Sequence, residues 1–267
     1  AKEGSSAVII GGGYIGLETA ASLRKKGMKV TVLEAMSRIL QRVTTEELSN
    51  FYQRIHTEEG VDIRTEQTIA AIEGEGNVSA VKFADGSELA ADLVIIGVGV
   101  IPNTGLAEKA GLEVGNGIIV DEFATTADPD IVAAGDCTWH LNGVYKREMR
   151  LESVQNASEQ AKTAAKSICG IKQPYVALPW FWSDQYDLKL QIAGLSQGFD
   201  KTVVRGSTSE GRSFAVFYFE GDKLLAVDAI NRPKEFMMTK KALTQGMKVD
   251  AALLADESAD IKDAFTA

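Results

Sequence analysis

The chain has 267 residues, of which 45% are hydrophobic, and it carries a formal net charge of −9 at pH 7. A chain of this composition can bury a substantial core, and its length suggests two domains. The acidic balance argues against general nucleic-acid binding, because a phosphate backbone is recognised by clustered cations.

A glycine-rich turn follows an apolar run at residues 7–10 and opens an amphipathic segment. Gly11 permits the tight turn, Gly13 lets the backbone approach a pyrophosphate, and Gly16 lets the helix pack on the strand. A helix that begins at Tyr14 would direct its unpaired N–H groups and positive dipole end at a diphosphate. This pattern predicts a nucleotide-binding βαβ unit. The residues predicted to bind the cofactor here are Gly11, Gly13, Tyr14, Ile15 and Gly16.

The acidic residue Glu34 closes the second apolar run of this unit. Its carboxylate can bind the two ribose hydroxyls of NADH and would repel the 2′-phosphate of NADPH. The preceding strand, the following helix and this terminal glutamate together distinguish the turn from a chance glycine pattern. The sequence therefore predicts a site for NADH rather than NADPH.

A second helix is indicated by the apolar spacing of residues 44–59, with Thr44 or Thr45 as the N-cap and Gly60 as the stop. Short alternating segments follow and predict a three-stranded antiparallel excursion with a hairpin turn. These segments are residues 61–64, 69–73, 78–83 and 88–89, with Asp85-Gly86 as the turn.

Residues 93–96 are fully apolar and are predicted to return to the parallel sheet. Gly97 and Gly99 lie just past the carboxyl end of this strand, where ligands bind in doubly wound sheets. Both glycines are therefore predicted to border the cofactor, and residues 1–100 are predicted to form one complete domain.

The later part of the chain changes character after Pro102. A short buried strand is predicted at residues 131–134, ending in Gly135-Asp136, and a helix is predicted from about Glu152 to Cys169. From residue 174 the chain is strand-rich and predicts a separate α+β domain. Its predicted strands are 188–193, 202–205, 214–219 and 224–228, and its closing helix is 233–245.

The cysteines and histidines exclude several kinds of site. Cys137 and Cys169 form no CxxC pair, so two buried thiols are predicted rather than a zinc knuckle or a redox dithiol. The sequence has only two histidines, His56 and His140, which argues against a histidine-based metal site or catalytic triad, and each is predicted to be a surface or loop residue. The longest apolar stretch, 93–102, is too short to span a bilayer, and with no signal-peptide pattern a cytoplasmic protein is expected.

Four sequence blocks carry a resemblance to a known family. They are GGGYIGLE at 11–18, GVGVIPN at 97–103, TTADPDIVAAGD at 125–136 and PWFWSDQYDLKLQIAG at 179–194. In this order they resemble the NADH-dependent ferredoxin reductases of oxygenase systems. The last block separates that family from glutathione-reductase-like relatives with a different C-terminal domain.

The resemblance implies an α/β fold in which an FAD domain, built from two separated segments, contains the NADH domain as an insertion. This chain starts at the NADH domain, so the first flavin segment is expected to be missing. A fragment of this kind is expected to bind NADH but to bind FAD weakly or not at all. The implied parts are a Rossmann-like NADH domain at 1–100, a partial FAD domain at 101–173 and a C-terminal α+β domain at 174–267.

The resemblance also implies roles at the two ends of the dinucleotide. Glu18 would contact the nicotinamide carboxamide from the first turn of the helix, where the helix dipole alone would also favour an acid. Arg42 matches by position an arginine at the adenosine end, and a solvated charge is the alternative. Trp182 would lie against the flavin ring, although aromatic clusters such as residues 180–182 more often belong to a core.

Three further residues are implied to contact FAD. Asp136 would close a buried strand, where its carboxylate needs a polar partner such as the ribityl hydroxyls. The N–H groups of Ser153 and Val154 would face the flavin N1 and C2 carbonyl, where negative charge accumulates on reduction. An ordinary capped helix is the alternative for these two residues.

The implied activity is hydride transfer from NADH to FAD, followed by single-electron transfer to an iron–sulfur ferredoxin. Docking of that partner would use Lys146, Arg147 and Arg150, or these residues form a solvated charge run. Two alternatives stay open. One is an NADH-binding redox-sensing or interaction factor that resembles apoptosis-inducing factor, and the other is a different NADH-dependent flavin reductase, such as a rubredoxin or nitrite reductase component.

Overall fold

The computed structural model describes residues 2–266 and contains two compact units. Neither unit is continuous in sequence. The first is made of the described residues up to 99 with 183–190 and 206–214, and the second of 100–182, 191–205 and the described residues from 215 onward.

The predicted division into domains at residues 100 and 173 stays a prediction. Its outermost residues, 1 and 267, lie outside the described residues. Within residues 2–266, no helix is both long enough and apolar enough to cross a bilayer.

The first unit opens with alternating strands and helices. Its elements are β1 Ser6–Ile10, α1 Tyr14–Lys25, β2 Lys29–Leu33, α2 Glu46–Glu58, β3 Val61–Arg64, β4 Ile69–Glu73, β5 Ala80–Phe83, β6 Glu88–Ala90 and β7 Leu93–Ile96. Strands in the order β3-β2-β1-β7 form a parallel sheet. The predicted βαβ unit and the return of residues 93–96 to the parallel sheet are confirmed.

The antiparallel excursion has the three predicted strands, but residues 61–64 are not part of it and belong to the parallel sheet. Val61 lies opposite Val30 in a parallel pairing of β3 with β2. An alternating pattern indicates a half-buried strand but does not distinguish parallel from antiparallel partners, which explains the error. The antiparallel sheet contains β4, β5 and β6 in that order.

Both faces of β1 are buried, which fixes the position of its carboxyl end. Ala7 and Ile9 pack in one cluster with Ala20 of α1. Val8 points the other way, into a cluster with Phe83 of the antiparallel sheet. Alternate side chains of a strand point to opposite faces, and each fully buried aliphatic side chain contributes about 1.5–3 kcal/mol.

The second helix begins as the sequence predicts. The hydroxyl of Thr45 accepts a hydrogen bond from the Leu48 amide at 3.5 Å, so Thr45 rather than Thr44 is the N-cap of α2. Gly60 follows the helix with a φ of +83°, a conformation that ends a helix readily at glycine.

The remaining elements include a small sheet, a longer helix and a larger sheet. They are α3 Gly105–Lys109, β8 Val114–Gly115, β9 Gly117–Val120, β10 Thr138–Leu141, β11 Glu148–Met149, α4 Val154–Ile168, β12 Trp180–Gln185, β13 Leu188–Gly194, β14 Lys201–Gly206, β15 Phe214–Glu220, β16 Lys223–Ile230, α5 Pro233–Gln245, β17 Lys248–Val249, α6 Ala251–Ala255, a 3₁₀ helix Ile261–Ala264 and β18 Phe265–Thr266. The strand orders are β11-β10-β9-β8, β12-β13-β16-β15-β14 and β17-β18.

Residues 131–134 do not form the predicted buried strand. They are half-buried, and among the described residues they make one isolated bridge, between Val132 and Thr125. The chain then turns at Gly135, which has a φ of +89°, and pairs as a strand only from Thr138. The apolar run correctly indicated that these residues are at least partly buried. It could not show whether a neighbouring strand pairs with them.

In the C-terminal part, the predicted strands and the helix 233–245 are confirmed, with bounds that differ by a few residues at the strand ends. Strand β12 was not predicted as a strand. The core here centres on Phe217 and Phe236, whose side chains are almost fully buried in one cluster with Val227. The α/β fold class with a C-terminal α+β region is therefore confirmed.

Helix α5 ends at Gly246, whose φ of +64° and ψ of +34° are left-handed. A Gly246→Ala variant is expected to lower the free energy of unfolding by about 1 kcal/mol, because a Cβ disfavours this conformation. The matched control is Gly105→Ala at the start of α3. A Cβ at either glycine meets nothing within 4 Å, so only the backbone conformation differs. Urea denaturation of both variants measures the cost, and equal stabilities would contradict this account.

Both histidines and both cysteines were predicted wrongly. His56 and His140 are buried rather than on the surface, because each belongs to a packed element, α2 and β10 respectively. Cys169 is exposed and Cys137 is half-buried, so neither is the fully buried thiol that was predicted. Burial lowers the pKa of both histidines, which favours their neutral forms.

Candidate functional site

The glycine turn between β1 and α1 packs closely against the backbone of Gly97 on one side and of helix α1 on the other. Gly11 has a φ of +112°, and a Cβ there would lie 2.3 Å from the Gly97 carbonyl oxygen. A Cβ on Gly16 would lie 2.1 Å from the Gly11 carbonyl oxygen. A Cβ on Gly13 would meet nothing within 4 Å. Gly11 and Gly16 therefore permit close packing, while Gly13 faces open space.

The close approach at Gly16 refines the sequence interpretation. The helix contacts the carbonyl of the turn at this glycine, and the nearest strand atom, in the Ile9 side chain, would be 3.5 Å from the added Cβ. Helix α1 begins at Tyr14, as predicted, with Gly13 as its N-cap. Ile15 in its first turn is 64% exposed, so this face of the helix end is accessible.

A cleft of about 260 Å³ lies at the carboxyl edge of the parallel sheet. It brings together five of the predicted site residues. Tyr14, Ile15, Gly16, Glu18 and Gly99 are not among the residues that line it. The lining includes Gly11, Gly13, Glu34, Arg42, Gly97 and Met36.

Within this cleft, the carboxylate of Glu34 is held by two backbone amides. One oxygen accepts a hydrogen bond from the Gly12 N–H at 2.8 Å, and the other accepts from the Met36 N–H at 2.9 Å. A carboxylate has about four lone-pair sites, so two remain for hydroxyl donors of a ligand. The fixed negative charge also repels a phosphate. Arg42, which is exposed, supplies a positive charge in the same cleft.

Glu18 lies in the second turn of α1 rather than in the first turn, because the helix starts at Tyr14. The alternative explanation of Glu18, that the helix dipole favours an acid at this position, is therefore weaker, because the dipole acts mainly on residues of the first turn. One carboxylate oxygen, Oε1, accepts a hydrogen bond from the Ser183 hydroxyl at 2.6 Å. Glu18 is half-buried.

Ser183 and Gln185 were not singled out in the sequence. They are fully buried at alternate positions of β12. Polar residues at the inward positions of a strand are the signal that could have indicated them, because a buried polar group needs a partner. The identity of those partners depends on the tertiary fold.

Asp136 was predicted to close a buried strand. It lies instead exposed in the turn after Gly135. Loss of hydration in this turn and the nearby Glu152 raise the pKa of Asp136, against opposing effects of Arg150 and the Ser153 backbone. The argument from an unpaired buried carboxylate is therefore wrong. The carboxyl is instead an accessible acceptor beside the start of α4.

Helix α4 begins at Val154, two residues later than predicted. Ser153 is the N-cap, and its hydroxyl accepts a hydrogen bond from the Asn156 amide at 3.1 Å. Val154 is 62% exposed, so the helix end is open on this side. The turn before the helix is tied to it by Gln160, whose side-chain oxygen accepts from the Gly135 amide at 2.8 Å.

Trp182 is 38% exposed, and its ring centroid lies 5.6 Å from that of Trp180. Trp180 in turn contacts Phe236, with centroids 6.0 Å apart, and its ring lies 4.6 Å from the Lys240 ammonium nitrogen. Trp180 is thus attached to the C-terminal core, whereas Trp182 presents a ring at the surface. A partly exposed aromatic ring is a suitable surface for a planar ligand.

The predicted docking residues differ in what they contact. Lys146 is exposed, whereas the Arg147 guanidinium lies over the Tyr145 ring at 5.5 Å. Arg150 forms an ion pair with Glu152. Of these three residues, Lys146 alone contacts neither an aromatic ring nor a carboxylate among residues 2–266.

Family models match most of the chain. Residues 1–161 match the model described as pyridine nucleotide-disulphide oxidoreductase, and residues 180–265 match the model described as reductase C-terminal. The first match contains the glycine turn, Glu34 and the start of α4. The second contains the aromatic segment of β12.

Individual relatives extend the comparison over nearly the whole chain. Putidaredoxin reductase of Pseudomonas putida is 48% identical over 97% of this chain and 62% of its own length. The ferredoxin reductase subunit of the 5,5′-dehydrodivanillate O-demethylase of Sphingobium is 45% identical over 96% of this chain and 62% of its own length. The chain thus spans about 62% of the length of these curated relatives.

A solved structure agrees with the sequence comparisons. The covalent complex of putidaredoxin reductase with putidaredoxin superposes with a TM-score of 0.93 at 47% identity, covering 98% of this chain and 63% of that one. The resemblance to ferredoxin reductases of oxygenase systems is thereby confirmed. Because a family model covers more than half of the residues, including the cleft around Glu34, this chain is a member of the pyridine nucleotide-disulphide oxidoreductase family.

Proposed function

We propose that the whole protein is an NADH-dependent reductase that passes electrons through FAD to a small iron–sulfur ferredoxin of an oxygenase system. The observation that carries this proposal is the cleft in which Glu34 faces the glycine turn. Support also comes from the relatives, whose names describe reductases of ferredoxins and of putidaredoxin. A cytoplasmic location is part of the same proposal.

The residues of the cleft fit a dinucleotide without a 2′-phosphate. Gly13 leaves open the space where a side chain would obstruct a pyrophosphate, and the helix start at Tyr14 offers N–H groups to it. Glu34 would accept hydrogen bonds from the ribose hydroxyls, and Arg42 would contact the adenosine end. Gly97 and Gly99 would let the nicotinamide end pass close to the backbone.

The second unit offers groups that fit part of a flavin site. Asp136 would accept hydrogen bonds from the ribityl hydroxyls, and the amides of Ser153 and Val154 at the start of α4 would stabilise negative charge at the flavin N1 and C2 carbonyl. Trp182 would cover the ring. FAD, when bound, supplies the conversion between a two-electron hydride and single electrons.

In this proposal the chain mainly orients its cofactors. Glu18 would bind the nicotinamide carboxamide and so hold the ring in one orientation. Correct orientation of two reactants can contribute several kcal/mol to lowering a barrier. Lys146, with Arg147 and Arg150, would attract an acidic ferredoxin to an otherwise acidic protein.

The test has a binding step and a turnover step. Calorimetry with this chain is expected to show NADH binding, and no heat with NADH would remove the proposal. With the whole protein under anaerobic conditions, NADH is expected to bleach the flavin absorbance and then reduce a ferredoxin. An NADH-binding interaction factor would also bind NADH, but it would reduce ferredoxin no faster than free FAD does.

A further inference from the structure

A chain of hydrogen bonds within the first unit ends on Glu18. The Ser183 hydroxyl contacts Glu18 Oε1 at 2.6 Å, and the Gln185 amide nitrogen contacts the Ser183 Oγ at 3.0 Å. The Gln185 Oε1 lies 2.7 Å from His56 Nε2, and the Tyr186 hydroxyl lies 3.1 Å from His56 Nδ1. These hydrogen bonds thus link helix α2 to helix α1 through residues at the end of β12.

The direction of each hydrogen bond follows from its acceptor. A carboxylate only accepts, so Ser183 must donate to Glu18 and its oxygen must accept from the Gln185 amide. The carbonyl oxygen of Gln185 then accepts from His56, which requires a proton on Nε2. Nδ1 therefore accepts from the Tyr186 hydroxyl. Every donor in the chain points toward Glu18, and His56 is neutral.

The environment of His56 agrees with this assignment. Burial lowers its pKa, against smaller opposing effects of the Gln185 hydrogen bond and of Glu59, the charged group that faces it. His56, Ser183 and Gln185 are each no more than 1% exposed. Breaking any one of these hydrogen bonds would leave a buried polar group unpaired, which is costly. The hydrogen-bonded side chains are therefore held in one arrangement.

The end of β12 is held against the helices independently of this chain. Arg212 forms an ion pair at 3.0 Å with Glu59, the residue that follows α2, and a further ion pair with Asp187. The Lys25 ammonium group donates to the Tyr186 carbonyl at 3.2 Å. Loss of the two hydrogen bonds of the Ser183 hydroxyl therefore leaves these attachments in place. A variant at Ser183 can thus test the positioning of Glu18 without detaching the strand.

This series of hydrogen bonds reaches only one of the two carboxylate oxygens of Glu18, Oε1. Among the described residues, no hydrogen bond reaches Oε2. We infer that Ser183, Gln185 and His56 are positioning residues, which hold Glu18 so that Oε2 stays available to the carboxamide of a nicotinamide ring. The inference rests on the proposed function, because it takes Glu18 to be the nicotinamide contact. It adds three residues that act through Glu18 and touch no cofactor themselves.

The test compares NADH with ADP-ribose, which has the same adenosine and diphosphate groups but no nicotinamide. In a Ser183→Ala variant, the Kd for NADH is expected to rise about fivefold, the size of one modest hydrogen-bond effect, while the Kd for ADP-ribose is unchanged. When Ser183→Ala is added to a Glu18→Gln variant, the Kd for NADH is expected to rise no further. Ser183 acts through Glu18 in this scheme, so the effects of the two substitutions are not additive.

Two further measurements exclude a purely structural role. Thr57→Ala is the control, because Thr57 follows His56 on α2 and its hydroxyl donates to the Gln53 carbonyl at 2.8 Å, outside the chain. This variant is expected to keep both Kd values. Nitrogen-15 NMR of the unaltered chain is expected to show the His56 proton on Nε2.

The outcomes separate the two proposals. Equal weakening of NADH and ADP-ribose by Ser183→Ala, additive effects with Glu18→Gln, or a proton on Nδ1 of His56 would each overturn the positioning role while leaving the NADH site intact. An unaltered chain that binds neither NADH nor ADP-ribose would instead remove the proposed function itself.

Discussion

A Gly16→Ala variant is expected to lose about 3 kcal/mol of unfolding free energy and to bind NADH about 100-fold more weakly. The added Cβ would lie 2.1 Å from the Gly11 carbonyl oxygen and 3.2 Å from its carbon. Real contacts of this kind are essentially never shorter than 3.0 Å, so the backbone of the turn or of the helix must move. The expected loss of affinity follows from the proposed function, in which the same turn presents N–H groups to the pyrophosphate.

The turn cannot relax away from Gly16, because its other side is also closed. Gly11 lies against Gly97, where an added Cβ would be 2.3 Å from the carbonyl oxygen. The Gly11 amide donates to the Leu33 carbonyl at 2.8 Å, and the Gly97 amide donates to the Ile10 carbonyl at 2.7 Å. Moving the turn would therefore disturb three strands of the parallel sheet at once.

Gly13→Ala is the matched control for this variant. A Cβ there meets nothing within 4 Å, and the φ of −80° suits alanine. The melting temperature is expected to stay the same, while the Kd for NADH rises about tenfold because the methyl group occupies the space of the pyrophosphate. Thermal unfolding and calorimetry on both variants separate the two effects. A Gly16→Ala variant as stable as the unaltered chain would contradict the packing account.

The first βαβ unit could be predicted closely from the sequence, because its signals are local. The glycine spacing, the buried run before Tyr14 and the terminal Glu34 each depend on backbone geometry within a few residues. Thr45 was one of two candidates for the cap of α2, and the hydrogen bond to Leu48 decides between them. Signals of this kind need no knowledge of distant neighbours.

Errors arose where the outcome depends on a partner far along the chain. Residues 61–64 have the pattern of a strand, but their parallel neighbour is set by the crossover connection. Residues 131–134 are apolar, yet among the described residues they take part in one isolated β-bridge, between Val132 and Thr125. His56 was expected on the surface because its partners, 129 and 130 positions away, are invisible to local reasoning.

The candidate site divides in the same way. The part around Glu34, where we propose that the adenosine end binds, was predicted from motif and spacing, and Arg42 was added by the resemblance. The surroundings of Glu18 were not, because Ser183 lies 165 positions away in sequence. The family resemblance singled out Trp182 but not the next residue, Ser183, whose proposed role depends on a contact that only the fold creates.

The specificity of the cleft should change when Glu34 loses its charge. In a Glu34→Gln variant, the Kd for NADH is expected to rise about 30-fold, because one side-chain acceptor becomes an amide donor and hydrogen bonds to the ribose are lost. The replaced oxygen also leaves the Gly12 or Met36 amide without its acceptor. Binding of NADPH is expected to strengthen relative to NADH, since the repulsion of its 2′-phosphate is removed.

Arg42 provides the internal check on this expectation. It lines the same cleft as Glu34, so its charge can attract the 2′-phosphate once the carboxylate is gone. The gain for NADPH in Glu34→Gln should therefore disappear in the double variant with Arg42→Ala, and it should shrink with rising salt. Glu75→Gln makes the same charge change at an exposed residue outside the cleft and controls for net charge.

Calorimetry with both coenzymes, at low and at physiological salt, measures these changes directly. If Glu34→Gln left the preference for NADH intact, the discrimination could not come from the carboxylate and would have to reside in the shape of the cleft. If Glu75→Gln altered the preference equally, the cause would be the net charge of the chain. A change confined to Glu34, and cancelled by Arg42→Ala, would place coenzyme selection on this one pair of opposite charges.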